Sequence, residues 1–363
     1  MLQAPERTGR TPSAPSSPTN GITPGLFLSG PSALTLLPTY RCTAACEQCC
    51  FGSSPSVEGR LSLIEMKDAV DKATAAFPTL KLFCVSGGEC FLLGEDLFSI
   101  LRYAAEKTLL TRVVTNGFWA KSKTAAKRTV EKAHASGLCE MNLSTGRDHA
   151  QFVPISSIIN AAEAAVKAGI TTFITVEEDA PDSALIREIM GDPTLAALKR
   201  DSPGRLVLSV NTWMKFNDSH QPRRRSIDEP LAFGGCTSVL ETLVVTPYRD
   251  LKACCGLTAE YIPEMRAGSL DDPDWKPLFD RQATDFIKIW IAVDGPQEII
   301  KKIMPEALQE QTECVHNCQA CALLFRDDRL RQRLRQEYPK HVSDVLLRYS
   351  LKQELARKGV VID

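Results

Sequence analysis

From residue 33 the chain alternates between short apolar runs and longer amphipathic ones, and this alternation narrows the possible folds more than any other feature. ALTLLPT, KLFCVSG, TRVVTNG, CEMNLST, ITTFITVEE and RLVLSVNTW read as strands. Between them LSLIEMKDAVDKATAAF, LFSILRYAAEKT, TAAKRTVEKAHASG, ISSIINAAEAAVKAG and SALIREIMGDPTLAALKR carry helical spacing. Strand–helix alternation implies a mostly parallel sheet with helices outside it. Six units are too few for a closed eight-fold barrel. The fold class expected is therefore α/β, as a partial (βα)6 TIM barrel. A doubly wound sheet has the same periodicity, and periodicity alone does not separate the two. In either case functional residues belong at the C-terminal ends of the strands.

After PRRRSIDEPLAFGG the alternation stops. GGCTSVLETLVVTPYRDLKACCG reads as a hairpin turning at PYRD, and a loop-rich stretch leads to CVHNCQAC. The last forty residues read as one or two charged amphipathic helices that could dimerise, cover the preceding module or stay solvated. The expected division is a Pro/Ser/Thr-rich disordered tail at 1–30, a barrel at 31–225, a small cysteine-bearing domain at 226–325 and a helical extension at 326–363. A length of 363 residues accommodates one large domain and a smaller one. With 43 basic and 44 acidic residues, no global field draws the chain to nucleic acid or to an anionic membrane. No apolar run is long enough to span a bilayer, and the N-terminus lacks the apolar core of a secretory signal. A cytoplasmic location is expected. The basic PRRRS stretch (222–226) reads as a solvated loop or as a site for an acidic leader peptide.

Thirteen cysteines are many for a reducing compartment, and they cluster, which points to metal or redox chemistry rather than to disulfides. Cys42, Cys46, Cys49 and Cys50 follow the first strand. Gly87-Gly88-Glu89 follows the second, Thr115-Asn116-Gly117 the third and STGRDH (144–149) the fourth, so all four stretches converge on one rim. Cys42-x3-Cys46-x2-Cys49 places three thiols on one loop. A [4Fe–4S] cluster normally takes four. Three would leave one iron open, and an open metal position marks a reactive site. A zinc knuckle with Cys50 as fourth ligand is the competing reading, and it leaves the other strand-end motifs unexplained. In the iron reading Cys50 is a packed neighbour. Cys84, Cys90 and Cys139 are expected to be buried, inert thiols.

These motifs, in this order, resemble the radical S-adenosylmethionine (SAM) superfamily. The resemblance implies that the amino and carboxylate groups of SAM chelate the open iron. Reductive cleavage of SAM then yields a 5′-deoxyadenosyl radical that abstracts hydrogen from a substrate. By the same resemblance Gly87, Gly88 and Glu89 correspond to the GGE motif, with the Glu89 carboxylate available to the SAM ammonium. Asn116 and Ser144 stand where polar contacts to SAM are made, Ser144 toward the ribose. The position before the third cysteine is often aromatic in the family and packs near the adenine; here it is Gln48.

Cys236, the hairpin, Cys254-Cys255 and Cys318-x2-Cys321 resemble the twitch module, a shortened SPASM domain with one auxiliary [4Fe–4S] cluster. The implied ligands are Cys236, Cys254, Cys318 and Cys321, which leaves Cys255 and Cys314 free; structural zinc on the same four is the competing reading. CxxxCxxCCFxSSP (42–55), NGFW (116–119), Ser144 to His149 with Phe152-Val153, the Cys254-Cys255 pair and 318–325 together resemble the radical SAM epipeptide epimerases. The implied reaction is abstraction of a Cα hydrogen from a ribosomally made precursor peptide, with L-to-D inversion by hydrogen return from a thiol. Cys255 is expected as that donor, although the sequence does not distinguish it from Cys254, and Cys255 could simply be packed. The electron donor implied is a flavodoxin or ferredoxin. Two other readings stay open: a maturase forming thioether or carbon–carbon crosslinks, and a non-enzymatic iron–sulfur or zinc protein. Asp148 and His149 are expected at the active rim, where they could touch substrate or SAM; His149 fits a structural role equally well. Phe118 and Trp119 are expected to pack.

Overall fold

The computed structural model describes residues 30–178, 183–212, 214–216, 234–310 and 314–358. The N-terminal tail and the PRRRS stretch lie outside them. The six expected strands are β1 (Ala33–Leu36), β2 (Leu82–Val85), β3 (Leu110–Thr115), β4 (Glu140–Thr145), β5 (Thr171–Glu178) and β6 (Leu206–Thr212). All five pairings among them are parallel and sequential. The intervening helices are α1 (Leu63–Ala76), α2 (Glu95–Glu106), α3 (Lys123–Ala135), the short α4 (Arg147–Ala150), α5 (Ile155–Lys167), α6 (Ala184–Met190) and α7 (Pro193–Asp201).

Local sequence explains how these elements begin. Ser62 and Glu65 form a capping box at α1: the Ser62 Oγ accepts from Glu65 N at 3.3 Å, and the Glu65 carboxylate accepts from Ser62 N at 2.7 Å. Helix α1 then buries Met66, Ala69, Val70 and Ala73, one face at helical spacing, against the sheet. The strands alternate in the same way. Thr111, Val113 and Thr115 of β3 are buried toward the helices, and Arg112 and Val114 turn to the barrel interior.

The hairpin does not form a sheet of its own. Strand β7 (Thr242–Val245) pairs parallel with β1, β8 (Asp250–Lys252) runs antiparallel to β7, and β9 (Arg266–Ser269) closes the edge. The nine strands form one sheet in the order β6-β5-β4-β3-β2-β1-β7-β8-β9. Strand pattern alone reveals the hairpin but not its partner, because pairing with β1 is a tertiary choice.

Beyond the sheet lie α8 (Lys276–Ala283), α9 (Phe286–Asp294), α10 (Pro296–Ile303), α11 (Glu306–Glu310), α12 (Asn317–Arg326), α13 (Asp328–Glu337) and α14 (Val342–Arg357). Helix α9 is buried nearly all round. The charged helix α14 covers it: Arg348 pairs with Asp294, Lys302 Nζ reaches the same carboxylate at 2.6 Å, and Trp290 Nε1 donates to it at 2.7 Å. The C-terminal extension therefore packs on the cysteine-bearing region. Among the described residues no helix is long and apolar enough to cross a membrane.

Candidate active site

The double glycine lets two strand-end segments touch. Gly88 N donates to Thr39 O at 2.8 Å and Glu89 N to Arg41 O at 3.0 Å. A Cβ at position 88 would lie 2.2 Å from Arg41 O, and Gly87 has φ +113°, a conformation that side chains disfavour. Glu89 is fully buried and accepts hydrogen bonds from Phe91 N (3.0 Å), Asn116 N (2.8 Å) and Thr115 Oγ1 (2.8 Å). Burial pushes its carboxyl up to about 7 despite those donors. In the structure this carboxylate fixes the end of β3 against β2; an ammonium group would have to share it with the protein donors already there. Asn116, itself buried, donates from Nδ2 to Thr43 Oγ1 at 3.1 Å and to Cys42 Sγ at 3.5 Å. The third strand end thus touches the first cysteine loop. Ser144 is half-buried on β4, in register with Thr175 of β5.

The cysteine loop folds back on itself through Cys49 N to Cys46 O (3.2 Å) and Gly52 N to Cys49 O (3.0 Å). Backbone N–H groups of Ala44 and Ser53 point at the Cys42 and Cys49 sulfurs, each at 3.4 Å. Burial, reinforced by the neighbouring thiols, pushes Cys42 up to about 11 and Cys46 well up. Such thiols ionise only when a cation takes the place of the proton. The Ser53 hydroxyl is buried without a hydrogen-bond partner beside this loop. Neighbouring thiols, N–H donors aimed at sulfur and a spare hydroxyl fit an iron–sulfur cluster, whose sulfurs accept such bonds. Among the described residues no three His, Cys, Asp or Glu side chains are grouped to hold a single metal ion.

Cys50 packs with Met214, Phe216, Val315, Leu257, Tyr261 and Cys318. Its carbonyl accepts from Tyr261 Oη at 2.9 Å. Asp148 and His149 do not end a strand, since β4 stops at Thr145 and residues 147–150 turn helical as α4. Asp148 is buried, and its carboxylate accepts from Gln48 N at 3.2 Å. Burial lowers His149 to about 4, keeping its ring neutral. Trp119 packs on Phe91 and donates from Nε1 to Thr115 Oγ1 at 3.1 Å. Cys139, expected to be buried, is exposed: it lies between α3 and β4, just before the first residue of β4. Cys90 is buried as expected.

The second set gathers from three separate segments. Cys236 is held by its N–H to Ile291 O of α9 (2.9 Å), and its sulfur accepts from Ser238 N (3.4 Å). Cys254 follows β8, with its sulfur accepting from Gly256 N at 3.2 Å. Cys318 and Cys321 lie on α12, which starts at the His316 cap. A Cβ on Gly256 would stand 3.0 Å from Cys318 Sγ and 3.2 Å from Cys254 Sγ, so these sulfurs flank a space that only glycine leaves open. Burial pushes Cys318 up to about 11 and also raises Cys254 and Cys321, with thiols of the set adding to the shift in each case. This donor set also fits a cluster. Cys314 is half-buried, and its sulfur accepts from Gln297 Nε2 at 3.5 Å.

Cys255 differs from its neighbour. It is exposed where Cys254 is buried, and both line a cavity of about 230 Å³ in the barrel interior. Phe51, from the first cysteine loop, lines the same cavity. So do Thr35, Cys84 and Arg112, adjacent in register across β1, β2 and β3. Arg112 pairs with Glu140 at 2.6 Å and Lys252 with Glu260 at 3.6 Å. These wall residues were missed in the sequence, though alternation along each strand marks them as inward-facing. Cys84 is buried as expected, yet it faces this cavity rather than the outer core.

No protein-family model matches the chain. Native anSMEcpe with bound AdoMet aligns over 86% of this chain and 99% of its own, at a TM-score of 0.52 and 15% identity. A histidine-tagged form of anSMEcpe with bound AdoMet gives 0.51 at 16% identity, over 83% and 98%. The chain shares the fold of these structures. In sequence, "Putative peptide biosynthesis protein YydG" of Bacillus subtilis (strain 168) is 27% identical over 184 residues. That match spans 50% of this chain and 57% of the relative. Within this fold, the strand-end residues named from the sequence stand on one rim, and the second cysteine set lies beside the strands added next to β1.

Proposed function

We propose that the chain is a radical SAM enzyme that inverts a Cα centre in a ribosomally made peptide. Cys42, Cys46 and Cys49 would hold a [4Fe–4S] cluster with one iron left for SAM, and Cys236, Cys254, Cys318 and Cys321 an auxiliary [4Fe–4S] cluster. When bound, the first cluster and SAM supply a one-electron cleavage that generates a hydrogen-abstracting radical. Asn116 and Glu89 order the rim around the first thiol set, and Ser144 offers a hydroxyl to SAM from β4. The barrel unit at 31–225 and the cysteine-bearing unit at 226–325 are read as the SAM-binding and auxiliary-cluster parts.

One observation carries the epimerase reading. Both adjacent cysteines line the interior cavity that also meets the first cysteine loop, but Cys254 is buried among the second thiol set whereas Cys255 is exposed. A thiol there can return hydrogen to a Cα radical, because its S–H bond is weaker than most C–H bonds. The Cα–H bond breaks on one face, and the Cys255 S–H bond breaks to form a new Cα–H bond on the other. One electron and one proton then restore the thiol, the electron coming from a flavodoxin or ferredoxin. The relationship to a protein named for peptide biosynthesis supports a peptide substrate.

The test is Cys255→Ser in deuterated buffer with candidate precursor peptides. The parent is expected to place one deuterium at an inverted Cα. The variant is expected to cleave SAM and abstract hydrogen without producing the D-residue. A product lighter by two hydrogens would identify a crosslinking maturase, and undiminished inversion in the variant would remove Cys255 as donor.

A further inference from the structure

The departure at Gln48 has a structural counterpart. Gln48 is 3% exposed, on the loop that follows β1. Its backbone N–H donates to the Asp148 carboxylate at 3.2 Å, in the short helix α4 that follows β4. Its side-chain Oε1 accepts from Phe216 N at 2.6 Å, just past β6. Asp148 N in turn donates to the Glu177 carboxylate of β5 at 3.1 Å. Among the six barrel strands β1 and β6 are the two extremes, and among the described residues β6 ends the sheet. One residue therefore links the thiol-bearing loop to the tops of β4, β5 and β6, across the mouth that an incomplete barrel leaves open. A phenylalanine or tryptophan side chain at this position has no atom to accept from Phe216 N, and that buried donor would lose its partner.

We propose that Gln48 is a positioning residue: its amide ties the Cys42–Cys49 loop across the barrel mouth and sets where that loop stands relative to Asn116 and Ser144. The inference rests on the radical SAM reading of the first thiol set. The side chain does not touch the chemistry; it acts through the loop that bears Cys46 and Cys49 on either side of it. Two strands' worth of separation between anchor points makes the tie a lever. If the acceptor is lost, the loop loses its tie to the segment beyond β6, while its bonds with Asn116, Asp148 and Tyr261 remain.

The experiment uses the full chain with iron and sulfide reconstituted anaerobically, reduced, and titrated with SAM while the paramagnetic spectrum of the first cluster is followed. In Gln48→Leu, which keeps the volume and removes the acceptor, half-saturation is expected at a SAM concentration raised on the order of tenfold. The spectrum of the second cluster should not change. Gln48→Glu, which keeps an acceptor at the same reach, should bind SAM close to the parent. An unchanged titration in Gln48→Leu, or a Gln48→Glu titration as weak as that of Gln48→Leu, overturns the inference. Should Gln48→Leu fail to fold, Gln48→Asn withdraws the acceptor by one methylene and is read against the same two outcomes. A parent protein with no spectral response to SAM overturns the radical SAM reading itself and takes this inference with it, whereas a difference confined to the variants bears on Gln48 alone.

Discussion

The two cysteine regions reach similar donor sets by opposite routes. The first lies on one loop whose own turns bring the thiols together, and the surrounding strand ends only brace it. The second is assembled from a segment held by α9, a segment leaving β8 and the first turn of α12, so no part of it exists until the chain beyond the barrel has docked. A local site should depend on its ligands and braces. A non-local one should depend on everything that packs its three segments together.

The largest effect expected is at the local site. Replacing Cys42, Cys46 and Cys49 with Ala should end SAM cleavage and lower bound iron from about eight to about four per chain, read by metal analysis after anaerobic reconstitution. Retention of about eight irons would show that the loop is not a cluster site. Zinc in place of the remaining four would show that the second region is a structural zinc site.

The second region offers a sharper contrast through a residue that is not a ligand. Gly256→Ala puts a methyl group 3.0 and 3.2 Å from two sulfurs. It should remove the second set of about four irons while the first cluster's response to SAM persists. If both clusters survive the methyl group, the space beside Gly256 is not where the second cluster sits. If both are lost, the two regions are coupled more tightly than their separate segments imply.

This contrast also explains what could be read in the chain. The barrel was legible because six strand–helix units repeat a pattern set by backbone periodicity, and the first thiol set because Cys42, Cys46 and Cys49 are neighbours on one loop. The pairing of β7 with β1 was not legible, since nothing in TLVV names its partner. Cys255 could be nominated only through a resemblance, and its exposure next to a buried Cys254 depends on how the turn after β8 enters the lumen. Asp148 looked like a rim residue by position. Its burial and its bond to Gln48 N follow from α4, a single helical turn too short to leave a periodic signal. Cys139 was expected to be another buried thiol because free cysteines usually are, but it precedes the first residue of β4, where the chain is still at the surface.

Glu89 extends the comparison to pH. Its folded carboxyl titrates near 7 and its unfolded one near the ordinary 4.5, with burial as the cause. The raised value means that its contribution to stability is fully present below about 4.5 and is lost as pH rises through about 7. The ceiling is about 3 kcal/mol. Glu89→Gln in the metal-free protein should flatten the pH dependence of denaturant unfolding across that window. A variant that keeps the parent's slope would assign the slope to other groups.

The smallest effect expected lies behind the second region. Helix α9 holds Cys236 through Ile291 O, and three residues further on Asp294 anchors α14 through Arg348 and α10 through Lys302. Burial opposes the ionised form of Asp294, yet the bonds from Arg348, Lys302 and Trp290 prevail and hold it at about 2. A depressed carboxyl contributes stability that is present above its unfolded value near 3.8 and lost as pH falls through about 2, here about 2 kcal/mol at most. Arg348→Ala should bring that loss to higher pH and should speed amide exchange in α14 and α9, while the amides of β1 to β4 keep the parent's protection. Equal acceleration at both places would mean that the barrel and the cysteine-bearing region open as one unit, and the local against non-local distinction would then apply to how each site is built but not to how it comes apart.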